Sequence, residues 1–348
     1  MSGRSPITRD DAPAYLAKYE NRQANPADAP DYENLNLPPY LVRARVRSEE
    51  RARFDALTED APPHRSQSWG LETVAPRELD TPDPYRRRLQ GSTDIRLIRH
   101  GQTQGYVSDA ALTDTGRWQA HHKGADFAKG LVEGTTVTIL HAPTPRAHET
   151  AVGVHEGVLQ AAARYGIRVG GGGVVVNEPV VAAEFDNFQV YVNEPGNERE
   201  LDVTEAFRHM ATLRNLHEAS GAGERPGWFV EVDRFYKIQA AGGDPITQWL
   251  NIPLLYVEPP VHVIRRFWKG ITKYITEGPP NQRILVCTHS GPIRAMAASA
   301  VGHDPGEPNN VEDVRIRVFK ELDRAIMTYR GRGVEVEIPT SITPSWYA

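Results

Sequence analysis

The chain predicts an α/β fold: a three-layer α/β/α sandwich with a mostly parallel central sheet, an N-terminal extension and an inserted lid-like region. Three observations predict it. From Ser92 onward, short apolar strands alternate with helical stretches, the pattern of a parallel sheet covered on both faces. Two of those strands, at 94–98 and 283–288, each run into a histidine, then a glycine, then a helix. Residues 1–90 lack this texture and are rich in proline and charge.

Taken in order, the extension holds Pro13, Pro26, Pro30, Pro38, Pro39, Pro62, Pro63, Pro76, Pro82 and Pro84, which prevent any long uninterrupted element. One helix is expected over 41–57, carrying Arg43, Arg45, Arg47, Arg51 and Arg53 against Glu49 and Glu50. A solvated, salt-bridged face explains those charges better than a nucleic-acid contact. Tyr15, Tyr19, Tyr32, Tyr40, Phe54 and Trp69 suit an arm that wraps the body or a partner subunit.

Ile95, Leu97 and Ile98 make the first strand, stopped by Gly101 and Gly105. Leu112-Thr113-Asp114-Thr115-Gly116 opens a helix to about Lys129, with Thr113 or Asp114 as its N-cap. Val137-Thr138-Ile139-Leu140 is the next strand, and a helix is expected from Arg146 to Tyr165. Gly170 to Gly173 form a loop, and Val174-Val175-Val176 a further strand. Between 190 and 260 the pattern loosens into an insertion or lid, with a turn at Asn193-Glu194-Pro195-Gly196 and a helix from Val203 to Ala219. Ile264, Phe267, Trp268 and Ile271 share one face of a helix over 261–275. The 283–288 strand leads to a helix beginning near Pro292. A hairpin, 325–329 with 334–338, closes the chain about Gly331-Arg332-Gly333.

Composition excludes several classes. A net charge of −5 offers no basic excess for a phosphate backbone, so no nucleic-acid partner is expected. The single Cys287 excludes an intrachain disulfide and fits a buried structural thiol in a reducing compartment. The start lacks the apolar stretch of a secretory signal, and no apolar run is long enough to span a bilayer. A cytoplasmic protein with no membrane partner is the expectation.

The chemistry gathers at strand ends, where open α/β sheets bind ligands. Adjacent strands would set His100 and His289 side by side, and the strand ending at His141 leads to a further arginine, Arg146. With Arg99, two arginines and two histidines make a site for a dianionic tetrahedral group, since guanidinium offers permanent charge and forked donors. Gly101 and the glycine after Ser290 would let backbone approach the anion. His121-His122 read as a plain helix face, because adjacent helical residues point different ways.

Four motifs in order resemble the histidine phosphatase superfamily, in its phosphoglycerate mutase-like branch. They are Leu97-Ile98-Arg99-His100-Gly101-Gln102-Thr103, Leu112-Thr113-Asp114-Thr115-Gly116-Arg117, Arg146-Ala147-His148-Glu149-Thr150, and Val286-Cys287-Thr288-His289-Ser290-Gly291-Pro292. The resemblance covers roughly 92–190 and 260–330 and makes 91–348 the catalytic domain.

It implies a phosphomonoesterase acting on a small phosphorylated metabolite through a phosphohistidine on His100. Arg99, Arg146, His289, Gly101 and Ser290 would bind the phosphoryl group, His289 also serving catalysis. The resemblance assigns the general acid/base to Glu184, with Asp186 in reserve and Glu178 behind them. Thr103, Tyr106 and His148 are candidate pocket residues. No metal or other cofactor is implied.

The chain departs from the family at Tyr106, where an asparagine is common, and before Arg146, where His141 or Ala142 replaces a serine. The superfamily's other branch ends in His-Asp; His289-Ser290 speaks against it. Two rivals stay open: a phosphoglycerate-type mutase and a non-catalytic phosphate-ester binding protein. Oligomeric state is open too, the arm making a homodimer the working expectation.

Overall fold

A computed structural model describes residues 91–104, 110–220, 225–340 and 346, with 216–220 as backbone alone. The 1–90 extension, its expected helix at 41–57, and Tyr106 lie outside the described residues. No helix among the described residues is long and apolar enough to cross a membrane.

The sheet is built outward from β1 (Thr93–Arg99). It pairs in parallel with β7 (Gln282–Thr288), which pairs in parallel with β2 (Thr136–His141). Two short strands, β3 (Val175–Val176) and β4 (Val180–Val181), extend β2 in parallel. On the other side β8 (Asp313–Val318), β9 (Arg324–Tyr329) and β10 (Arg332–Glu337) continue antiparallel, completing eight strands. The hairpin turns at Arg330 and Gly331, both at positive φ. β8 is absent from the sequence reading, although Val314, Ile316 and Val318 alternate inward against outward Arg315 and Arg317.

Two helices cover one face: α1 (Asp114–Ala128) and α2 (Pro145–Arg164). Thr113 caps α1, its Oγ1 accepting the Gly116 N–H at 3.0 Å. Phe127, Ala151, Val154 and Val158 pack there on Ile98, Val137, Ile139, Leu285 and the buried Cys287. The α1–α2 crossing is very close because glycines line it. A Cβ on Gly124 would stand 2.0 Å from the Val154 carbonyl oxygen, and one on Gly157 2.0 Å from that of His121.

The opposite face is covered by α6 (Pro260–Glu277) and α7 (Ser290–Val301), α7 starting two residues before Pro292. Val263, Ile264, Phe267, Trp268 and Ile271 supply the α6 stripe, and they join Ile95, Leu97, Ile284 and Val286 in the larger core.

The insertion has structure of its own. A hairpin, β5 (Gln189–Val192) with β6 (Arg199–Asp202), leads into α3 (Val203–Ser220). Then come α4 (Gly227–Ala240) and α5 (Pro245–Asn251), neither of which the sequence reading placed. Trp228, Phe229, Val232 and Trp249 bury in the same core as α6, so the insertion packs onto the domain.

Candidate active site at the strand ends

Register brings the histidines together. Arg99 lies opposite Thr288 across β1 and β7, so His100 and His289 leave adjacent strands at the same level. The His100 N–H continues the ladder to the Thr288 carbonyl at 2.8 Å. The two rings meet edge to face, 5.6 Å between centroids. α7 begins immediately after His289, and the first N–H groups of a helix have no intrahelical acceptor and favour anions.

Hydrogen bonds assign the protons on both rings. His100 Nδ1 lies 2.8 Å from the Gly101 carbonyl oxygen, which can only accept, so Nδ1 carries the hydrogen and Nε2 keeps its lone pair. Burial, reinforced by the charges of Arg99 and Arg146, pushes the His100 pKa down to about 3 and holds the ring neutral. Arg146 Nε donates to His289 Nδ1 at 3.3 Å, so Nε2 of His289 bears the proton. His289 is also held neutral, by burial first and then by Arg146. The site thus pairs one ring nitrogen that can attack with one that can donate.

Arg146 is buried at the start of α2. Arg99 is turned toward the segment before β8: it donates to the Pro308 carbonyl and pairs with Glu307 at 3.0 Å. Gly101 does not offer its N–H to a ligand, because Thr150 Oγ1 accepts it at 3.0 Å. Its missing side chain admits the Gly116 carbonyl, 2.6 Å from where a Cβ would be. Gly101 therefore lets α1 come close, and its N–H is spent within the fold. Gly291 plays a comparable part, with a Cβ there 2.8 Å from Phe188. Ser290 opens α7, Thr103 forms an isolated bridge with Leu112, and His148 is exposed with its ring 4.9 Å from that of His141.

The acidic candidates separate sharply. Glu184 sits in a 3₁₀ turn, Ala183–Phe185, after β4. Its Cβ faces Gly270 of α6, and its carboxylate accepts from Lys273 Nζ at 2.7 Å, which keeps it ionised. Asp186 turns inward, its Oδ1 standing 3.8 Å from His289 Nε2. Burial, with Asp202 adding to it, raises the Asp186 carboxyl to about 6. Glu178 is largely exposed beside His155. The carboxyl beside the histidines is that of Asp186, not that of Glu184.

Several groups around Asp186 escaped the sequence reading. The Asn187 N–H donates to Oδ1 at 2.7 Å, and Gln189 Nε2 to Oδ2 at 3.2 Å. Arg266 of α6 donates to the carbonyls of Glu184, Asp186 and Asn187, at 3.0, 3.0 and 2.8 Å, while gripping the buried Glu258 through two nitrogens. From the insertion, the charge of Asp202 reaches Asp186. Only Asp202 left a sequence signal, an aspartate two residues before a threonine at a helix start, and that signal reads as a cap.

A neutral histidine with a free lone pair, a proton-bearing histidine, a buried arginine and a protonatable carboxyl define a class of site suited to phosphoryl transfer. A family model described as histidine phosphatase superfamily (branch 1) matches residues 95–164 and 231–334, together half of the chain. The chain belongs to that superfamily. Among solved structures, one described as mycobacterial hydrolase 1 is 16% identical, covering 70% of this chain and 100% of that one at a TM-score of 0.40. A mycobacterial glucosyl-3-phosphoglycerate phosphatase is 17% identical, covering 65% of this chain and 91% of that one at 0.37. Phosphoglycerate mutase from Bacillus anthracis str. Sterne is 15% identical, covering 70% and 93% at 0.37. No curated relative matches.

Proposed function

We propose that the chain is a phosphomonoesterase that hydrolyses a small phosphorylated metabolite through a phosphohistidine on His100, with Asp186 as general acid and base. The observation that carries this is the His100 tautomer: Nδ1–H is committed to the Gly101 carbonyl, leaving a neutral Nε2 to attack phosphorus.

In the first step Nε2 bonds to phosphorus and the bond to the ester oxygen breaks. The Asp186 carboxyl gives its proton to the departing alkoxide, and a pKa near 6 suits that exchange close to neutrality. Arg146, the Nε2–H of His289 and the free N–H groups of α7 stabilise charge on the transferring oxygens. In the second step the Asp186 carboxylate takes a proton from water, the water oxygen bonds to phosphorus and the nitrogen–phosphorus bond breaks. His100 and protonated Asp186 are restored.

The test is phosphate release from a panel of phosphomonoesters without added metal, using wild type and His100→Ala. Release that vanishes in the variant supports the reading. No release from any ester, with a phosphohistidine still forming, would turn it toward a mutase.

A further inference from the structure

The geometry points to Asp202 as the residue that recognises the alcohol half of the substrate, its Oδ2 accepting a hydrogen bond from a hydroxyl group of a polyol or sugar phosphate. This rests on the phosphatase reading and names the substrate class for the same site.

Asp202 ends β6 directly opposite Gln189 in the β5–β6 pair. Directly opposed residues project to the same face, and Gln189 is the residue whose amide holds Asp186 Oδ2. Asp202 therefore lies beside the proposed acid. From the insertion, the Tyr236 hydroxyl stands 3.5 Å from the carbonyl of Val203, the next residue. Burial first, then the nearby charge of Asp202, raises the Tyr236 hydroxyl, while the charge of Arg146 opposes them, so Tyr236 lies within reach of both.

Only half of the Asp202 carboxylate is used. Oδ1 accepts from the Thr204 N–H at 2.7 Å and from the Thr204 hydroxyl, capping α3. Oδ2 has no donor although the residue is 6% exposed. A helix cap needs one oxygen, so capping accounts for Oδ1 and leaves Oδ2 unexplained. A buried carboxylate oxygen without a donor is costly, and a donor arriving with the ligand removes the deficit.

The donor is a hydroxyl and not an ammonium. A cation lodged beside Asp202 would also draw the proton from Asp186, the one the leaving group needs. A neutral hydroxyl satisfies Oδ2 and leaves Asp186 protonated.

The experiment compares kcat/KM for matched esters: glycerol 1-phosphate against propyl phosphate, glycerol 2-phosphate against isopropyl phosphate, and 2-hydroxyethyl phosphate against phosphoethanolamine. Wild type should prefer the hydroxylated member by about 10- to 100-fold in at least one glycerol pair, the range of a hydrogen bond to a charged group. Asp202→Ser retains a capping oxygen and removes Oδ2; in it that ratio should fall by about tenfold. A loss of folding or of catalysis lowers both members and leaves the ratio unchanged. No wild-type preference in either glycerol pair, a ratio unchanged in Asp202→Ser, or a preference for the ammonium ester would each overturn the assignment. If wild type hydrolyses none of the esters, the phosphatase reading fails by itself. The same ratios taken from calorimetric Kd values for wild type and Asp202→Ser then decide Asp202 separately.

Discussion

Asp186 Oδ1 lies 3.8 Å from His289 Nε2, while Glu184, two residues earlier, gives its carboxylate to Lys273 on α6. In a chain that alternates its side chains through an extended stretch, two such residues would share a face. The 3₁₀ turn over 183–185 breaks that rule and sends one carboxylate out and the other in.

Asp186→Asn should lower kcat on alkyl phosphates by about 10²- to 10⁴-fold, the usual worth of a positioned acid. Glu184→Gln should lower it by less than about threefold, because its carboxylate is held by the half-exposed Lys273 and not at the histidines, and such exposed pairs contribute little. Steady-state kinetics on both variants checks this; the opposite ranking would restore Glu184.

The expected pH dependence follows from Asp186 and His100. As the proposed acid, Asp186 would donate while protonated, and its pKa is raised to about 6, so phosphorylation should slow as pH rises through and beyond that value. A bound phosphoryl group adds negative charge and moves the limb upward. His100 is depressed to about 3, so no loss of the nucleophile is expected down to the limit of folding. A kcat profile measured on an alkyl ester should carry the alkaline limb in wild type and lose it in Asp186→Asn.

Arg266 and Glu258 act as a clamp on the turn that aims Asp186. Glu258 is buried, so Arg266→Met leaves a carboxylate without its partner and should destabilise the fold by about 3 kcal/mol or more. Arg266→Met combined with Glu258→Gln should recover part of that stability. Urea unfolding of the singles and the double gives the coupling; strict additivity would deny the clamp.

The α1–α2 crossing predicts a local intolerance. Gly157→Ala would force a Cβ to 2.0 Å from the His121 carbonyl oxygen. Overpacking of this kind costs about 1–3 kcal/mol, which outweighs the gain in helix propensity. A lower urea midpoint with an unchanged slope is the expected result.

Much of the scaffold was legible because its signals are local. Thr113 before a helix, the apolar Ile95, Leu97 and Ile98 of β1, and the α6 stripe of Ile264, Phe267, Trp268 and Ile271 each declare an element within a few residues. The histidines and Arg146 were legible because each ends a strand or opens a helix. What separates Glu184 from Asp186 was not, since Lys273 lies 89 residues away and only the packing of α6 brings it there. Asp202 was hidden for a different reason: β5 and β6 are four residues each, too short to show a period. β8 carried a readable alternation that the dense charges of Arg315 and Arg317 obscured.

In the proposed reaction everything depends on His100 taking the phosphoryl group. The direct measurement is rapid-quench trapping with a ³²P-labelled ester that wild type turns over, read as acid-labile, base-stable label on the protein. Label should map to His100, be absent in His100→Ala and accumulate in Asp186→Asn when an activated aryl ester is used, because hydrolysis then lacks its base. Undiminished label on His100→Ala, or turnover by wild type with no covalent phosphate at any quench time, would contradict it.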